Sequence, residues 1–572
     1  MKTNETSQAT YTVEKSTILN VRHENGMRTQ YELDEDKGCL QLKSVYMKDE
    51  KQSVIELPAF IIFKDVNFPV TSIAACVLKD MQVFGKVKKV ILPPTVTRVS
   101  EFAFVPGPKS LSQIETSDPE LLENVYIPDG VEVLTDSFET VDLRPKHHFR
   151  YTNKKEGYSL LFCMNESGNK LTLSGYENIA KGINVVIPKE VNGFPVTKIG
   201  DKVFSWCTNL TGIVIPDSVR EIGEEAFFNC ENLTNLVIPD SVVRIRSCAF
   251  VNCDQLTGIV IPDSVMDIED SILCGCSRLS TIVVAEGNKF YDSREGCNAI
   301  IETATNTLVQ GCAFTVVPDT VEVIGYNAFN TCDNLEHMVI PNSVTKISEY
   351  AFFYCINLKT LVLSDSVEEI GESAFYGCES MDSIEIPQSV TKIGQHAFSG
   401  VSRYRVISAI AVAEGNPVYD SRKNCNAIIE TATNTLLQGG NTTIIPDTVT
   451  KISSNAFMGC EKLFYIHIPD SVTEIGACAF YDCTSLDSID IPASVTAIGN
   501  DVFRGCKSLT SIAIPDSVQQ IGSGVFEGCT NLRQVVISDA SLLEKAKLPK
   551  DVKIVDKTAA ITEVVHLLQN KG

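Results

Sequence analysis

Residues 468–492 read IPDSVTEIGACAFYDCTSLDSIDIP, and the spacing inside this stretch decides the fold. Pro469 and Pro492 stand 23 residues apart, and the apolar positions between them recur at the same interval on both sides. Cys207, Cys230, Cys253 and Cys276 mark one run of this period, Cys332, Cys355 and Cys378 a second, and Cys460, Cys483, Cys506 and Cys529 a third. An aromatic column keeps the same register: Phe204, Phe227 and Phe250, then Phe329, Phe352, Phe375 and Phe398, then Phe457, Phe480, Phe503 and Phe526. From about residue 186 the unit is L-x-x-I-x-I-P-D-S-V-x-x-I-G-x-x-A-F-x-x-C-x-x.

The first half of each unit, as in Leu210, Ile213 and Ile215, has the alternation of a short strand whose alternate side chains enter a core. Pro216, Pro239, Pro262, Pro341, Pro387, Pro469, Pro492 and Pro515 follow the last inward residue, where a missing N–H is tolerated, and Asp-Ser after them suits a turn. The second half, as in Val219, Ile222, Ala226 and Phe227, supplies inward side chains for the return path. One unit cannot bury these alone. Stacking units at about 4.8 Å sets like over like, and each large side chain so covered contributes on the order of 1.5 to 3 kcal/mol. The expected fold is a β-rich solenoid.

The string at 468–492 resembles the leucine-rich repeat of the BspA-like, or treponemal, class, over most of residues 186–538. That resemblance implies a leucine-rich repeat array of 23-residue units used for protein binding and adhesion at a cell surface, with no shared catalytic centre.

Two near-identical segments interrupt the period. AEGNKFYDSREGCNAIIETATNTLVQG begins at Ala285 and AEGNPVYDSRKNCNAIIETATNTLLQG at Ala413, a displacement of 128 residues. In the first, Ala299-Ile300-Ile301 and Thr307-Leu308-Val309 alternate around a turn at Asn306, which reads as a β-hairpin. Two readings stay open: a protrusion that binds, or an insert that adjusts the solenoid's twist. Ahead of the regular run, Val99, Ala103 and Phe104, then Leu134 and Phe138, keep traces of the unit. Tyr31 to Met47 and Tyr158 to Tyr176 read as two entry segments that pass through an F-P-V-T turn into repeats. The string RPKHHFRYTNKKEG from Arg144 is the candidate junction or flexible loop. Expected divisions are thus a degenerate N-terminal repeat module at 1–150, a main solenoid at 151–538 with hairpin inserts at 285–312 and 413–440, and a C-terminal cap at 539–572. Within the cap, Ala560, Ile561, Val564, Val565, Leu567 and Leu568 suit a short amphipathic helix over 558–569.

A net charge of -23, from 72 acidic against 49 basic residues, argues against a nucleic-acid partner, because phosphate affinity comes mainly from Lys and Arg. The opening MKTNETSQATYTVEKSTILN holds no secretory apolar core, and no run of about 18 apolar residues follows that crosses a membrane. On this ground the expected location is cytoplasmic, with secretion or the cell surface as the alternative carried by the family resemblance.

Catalytic and metal motifs are missing from the sequence. None of the 20 cysteines has zinc-site spacing with histidine partners, including the C-x-C at Cys274 and Cys276 and the off-column Cys248 and Cys478. The repeat columns read as buried, reduced thiols. The seven histidines, with only His147 and His148 adjacent, read as loop residues, and no nucleophile or phosphate-binding motif occurs. The expectation is no cofactor, no metal and no enzyme. The column Asp217, Asp240, Asp263, Asp319, Asp365, Asp447, Asp470 and Asp516 reads mainly as Asp-Ser turn chemistry, with an acidic ridge as the alternative.

Function is left to the outward strand positions. The residue between the last two inward apolar ones is Val214, Val237, Val260, Val283, Val339 and Val362, then Glu385, His467, Asp490 and Ala513. If this row faces solvent on a concave side, its first part is an apolar stripe of the kind that marks interaction surfaces; the other reading is β-propensity in a half-shielded sheet. His337, Phe464, Tyr465 and His467 read as an aromatic and imidazole cluster near the second hairpin. The expected function is a non-catalytic scaffold recognising a protein partner through strand face and inserts. A structural spacer, and an enzyme with an atypical site in the first 185 residues, are the alternatives.

Overall fold

In the computed structural model the described residues are 10–15, 18–22, 27–34, 39–47, 54–63, 66–74, 87–100, 103–104, 111–118, 122, 125, 131–134, 140–141, 148–165, 167–401 and 409–556. Phe138, residues 144–147 and the expected helix at 558–569 lie outside them. The chain forms two compact units, one of Met1–Asp254 with Asp267–Glu269, the other of Gln255–Met266 with Asp270–Gly572. Each is a β-solenoid whose turns follow the repeat. No helix among the described residues is long and apolar enough to cross a membrane.

Regular turns join their neighbours through up to three parallel backbone ladders. The first uses the strand before proline: in the first unit Ile183–Val186, Leu210–Val214 and Asn235–Val237 pair in register, with Ile213 beside Leu236. The second uses two-residue strands such as Glu221–Ile222, Arg244–Ile245 and Asp267–Ile268. Charge alternates along it, Lys198 meeting Glu221 at 3.0 Å and Arg244 meeting Asp267 at 2.7 Å. The third runs through the Ala-Phe segment, where the amide of Phe227 donates to the carbonyl of Ala249 at 2.8 Å and that of Asn229 to Val251 at 2.8 Å. Corners of this ladder sit in the left-handed region, with φ 50° at Glu225 and 55° at Asn229. Such angles cost roughly 1 kcal/mol or more for most residues; the interturn hydrogen bonds they permit offset it.

The columns read from sequence are buried side by side. Phe227 and Phe250 stack with centroids 5.5 Å apart, and in the second unit Phe329 and Phe352 lie 4.8 Å apart and nearly coplanar. The column cysteines donate hydrogen bonds as well as filling space: Cys355 reaches the Phe329 carbonyl at 3.1 Å and Cys506 that of Phe480 at 3.2 Å. All described cysteines are free thiols.

Among the described residues, four antiparallel hairpins of one construction open four runs of turns. Met27–Asp34 with Cys39–Met47 and Tyr158–Met164 with Leu171–Glu177 lie in the first unit. Ile300–Glu302 with Thr307–Gln310 and Ala427–Glu430 with Thr435–Gly439 lie in the second. Each carries a bulge and hands its second strand to a parallel partner: Leu42 to Ile73, Leu173 to Ile199, Leu308 to Ile324 and Leu436 to Ile452. Ala299, Ile300, Ile301 and Leu308 are buried. The duplicated inserts are therefore built into the sheet, and the entry segments are the same device.

Several expectations are corrected here. F-P-V-T is strand, not turn: Pro69 pairs with Phe60 and Pro195 with Glu190, each on an antiparallel flank that leaves proline's missing N–H harmless. Within RPKHHFRYTNKKEG, His148–Asn153 is a strand paired with Tyr158–Met164 rather than a loop. Histidines are not confined to loops, since His148 and His337 lie in strands and His467 bridges Asp490. Beyond Ser538 the repeat pattern ends, yet the backbone completes one more turn: Lys553–Asp556 pairs with Gln534–Ile537, and Ala546 takes the Ala-Phe ladder position by accepting from Phe526.

Candidate functional site

Alternation in the strand before proline sends one set of residues inward and leaves the other in water. Val214 and Val237 of the first unit are exposed, side by side in register, and Val186 precedes them. In the second unit Val260 pairs with Val283 and Val339 with Val362, all four exposed, and Glu385, His467 and Asp490 continue the row with polar groups. Thus every outward residue singled out from the sequence reaches solvent.

The sequence reading passed over Phe314, Val316 and Ile444. Val316 is 73% exposed, Ile444 75% and Phe314 61%, within the range of the valine row. Their signal was present: T-V-V-P-D-T-V and T-I-I-P-D-T-V set Val316 and Ile444 two residues before proline, the same place as Val214. With Ile444 included, the second half of the row is not uniformly polar.

His337 does not join Phe464, Tyr465 and His467. It lies against Thr360, its Nδ1 2.7 Å from the hydroxyl, while Tyr465 holds the equivalent place 128 residues later in the duplicated segment. A whole run of turns separates them. Phe464 and Tyr465, exposed on one turn, are together; His467 faces Asp490 across the ladder.

Each insert is pinned from within. Arg294 binds Asp292 through Nε at 2.8 Å and a terminal nitrogen at 2.7 Å, then reaches Asn306 at 3.0 Å and Thr320 at 3.3 Å. Arg422 repeats the set with Asp420, Asn434 and Thr448. Asn288 accepts from the amides of Phe290 and Tyr291 and donates to the carbonyls of Pro262 and Val265. The conspicuous polar residues of the inserts thus hold turns in place.

Along the proline turns, serine rather than aspartate makes the recurrent bond: Ser241 donates to Val219 at 2.7 Å and Ser471 to Val449 at 2.6 Å. The eight aspartates of the column stay exposed. Among the described residues no group of three or more His, Cys, Asp or Glu is placed to hold a metal ion. A cavity of about 470 Å³ in the second unit brings His396 and Cys478 to one space, with Asn455 2.9 Å from the imidazole Nδ1. Burial pushes the imidazole pKa down and the thiol pKa up. Both shifts run against a thiolate–imidazolium pair.

The model of the BspA type leucine rich repeat region matches residues 196–307, 309–412 and 439–554, in six copies, and so covers more than half of the sequence. The chain belongs to the BspA-type leucine-rich repeat family. Among solved structures, a leucine rich cell surface protein from Faecalibacterium prausnitzii A2-165 is 29% identical to this BspA-type chain, aligning 71% of it and 94% of its own length with a TM-score of 0.41. A leucine-rich repeat protein from Bacteroides ovatus is 22% identical over 92% and 97%, with a TM-score of 0.30. The pneumococcal vaccine antigen PcpA is 17% identical over 73% and 96%, with a TM-score of 0.32. No curated protein matches the chain significantly.

Proposed function

We propose that this BspA-type chain is a non-catalytic scaffold that recognises a protein through the outward residues of its proline-terminated strands. The observation carrying the reading is the exposed apolar row of the second unit, Val260, Val283, Val316, Val339 and Val362, with Phe314 beside it. Exposed apolar side chains are ordinary when scattered; here Val260 pairs in register with Val283, and Val339 with Val362, which sets apolar side chains side by side in the manner of surfaces that are covered in use. Each is β-branched or aromatic on a hydrogen-bonded backbone, so little conformational freedom is left to lose on docking. Glu385, His467 and Asp490 add polar groups farther along the same row, with the exposed Ile444 among them.

The test installs a photo-reactive phenylalanine analogue at position 339 of the full chain and cross-links it in native extract. The recovered partner is then offered to V260D/V339D and to a control, D516N, on the turn rim. Selective loss with V260D/V339D, in protein that melts normally, supports the reading. Equal recovery by both variants refutes it.

A further inference from the structure

The Ala-Phe ladder of the second unit carries aromatic side chains outside the core as well as inside. Phe353 meets Tyr354 edge-on at 4.7 Å and stacks on Tyr376 at 5.2 Å, and Tyr354 meets Tyr376 edge-on at 5.5 Å. Where these turns reach the run opened by the second insert, the cluster borders a cavity of about 250 Å³ lined by Tyr354, Tyr376, Tyr481, Glu379 and Asp482. The Tyr376 hydroxyl spans it to the sulfur of Met458 at 3.7 Å. Gly377 lets the Tyr354 ring lie close to the backbone: a Cβ there would meet the ring at 2.9 Å.

Burial raises the Tyr481 hydroxyl pKa and the Asp482 charge raises it further; burial and Glu372 do the same at Tyr350. A net charge of -23 draws basic partners from a distance. The chain also shows which cation suits the groove. The Arg504 guanidinium carbon lies 5.8 Å from the Tyr481 ring centroid, while its nitrogens pair with Asp501 at 3.4 Å and Glu527 at 3.3 Å.

We propose that the tyrosine-lined groove at Tyr354, Tyr376, Tyr481 and Asp482 receives an arginine side chain from a basic polypeptide segment. Tyrosine faces attract the flat guanidinium, and the carboxylates of Asp482 and Glu379 complete the arrangement already made around Arg504. Arginine is favoured over lysine because its planar group stacks and donates in parallel, whereas an ammonium is a strongly hydrated point charge. The groove lies on the Ala-Phe ladder and not on the valine row, so this assignment and the strand-face reading stand or fall separately.

The full chain is titrated with a fluorescent hexa-arginine peptide at about 0.15 M ionic strength, where distant charges are screened. Tyr354→Asn with Asp482→Asn removes one ring and one charge; both sites have left-handed backbone, φ 55° and 53°, which asparagine accepts. Its Kd is expected to rise about tenfold or more, against less than twofold for Asp365→Asn with Asp447→Asn on the turn rim, and Tyr354→Phe retains binding. Should the double variant melt early, Asp482→Asn alone carries the comparison. Equal weakening by groove and control variants, no binding by the unaltered chain, or displacement of the peptide by neutral maltohexaose each overturns the assignment.

Discussion

Cys230 donates its thiol proton to the carbonyl oxygen of Phe204, 26 residues earlier, at 3.0 Å. Cys253, Cys355, Cys378, Cys483, Cys506 and Cys529 repeat the bond, so the cysteine column ties each turn to the one before. Burial raises the thiols of Cys230, Cys253, Cys355, Cys483 and Cys506 well above the ordinary value of 9.0, Cys207 to about 11 and Cys529 to about 12. The folded pKa is higher than the unfolded one, so the stabilisation is complete below pH 9 and is lost as pH rises through the folded value. Between pH 9 and pH 11 Cys207 alone is expected to withdraw on the order of 2 kcal/mol. Urea midpoints measured from pH 7 to pH 11 should fall less steeply in Cys207→Ala than in the unaltered protein; parallel curves would contradict this. Exchange and oxidation require thiolate. Free thiols held this way persist in either redox setting and carry no information on where the protein resides.

Gly311 and Gly439 lie against phenylalanine rings, a Cβ at either meeting Phe329 or Phe457 at 2.2 Å. Gly311→Ala and Gly439→Ala should each lower stability by about 1 to 3 kcal/mol, the range for overpacking a rigid core. Chemical denaturation checks it, and a neutral result at both sites means the rings have room that the structure does not show.

Arg294→Lys is expected to remove the forked bond to Asp292 and the reach to Asn306 and Thr320, at a cost of roughly 1 to 2 kcal/mol. Arg422→Lys should cost the same, because its partners are the same. Faster amide hydrogen exchange at 303–307 or 431–435, respectively, locates the loss in the hairpin turn. A global change without local acceleration counts against the role given to the arginine.

Val339→Asp changes a side chain that is 63% exposed and makes no core contact. Its melting temperature should match the unaltered protein, with a stability change within about 0.5 kcal/mol. Early melting would reassign the valine row from recognition to packing.

Period, columns and hairpins were legible because each rests on spacing: Pro469 to Pro492 fixes the turn length, and Phe480 and Cys483 fix which side faces in. The left-handed corners were less visible. Asn229, Asn252, Gly377, Gly459, Asp482 and Gly505 precede the column cysteine and favour positive φ, but Glu225 and Cys248 adopt it without any such preference, Glu225 with its amide held by the Ser247 carbonyl of the next turn. The F-P-V-T strands were misread because proline alone signals a turn, whereas an antiparallel flank that leaves its nitrogen unpaired is a property of the assembled sheet. His337 was grouped with Tyr465 since both are outward and aromatic; distance along a solenoid is counted in turns, which residue type does not record.

The four hairpins also bear on how the chain acquires its fold. A parallel ladder has no local beginning, because its first strand needs a partner more than twenty residues away, and closing that loop is slow. A hairpin such as Ile300–Glu302 with Thr307–Gln310 closes over four residues and presents a finished edge to Val323 and Ile324. Elements of this kind form in microseconds. The sequence thus supplies four seeds from which turns can be laid down, so that a chain of this length need not wait for a single nucleus, and damage to one run can be confined at the next hairpin.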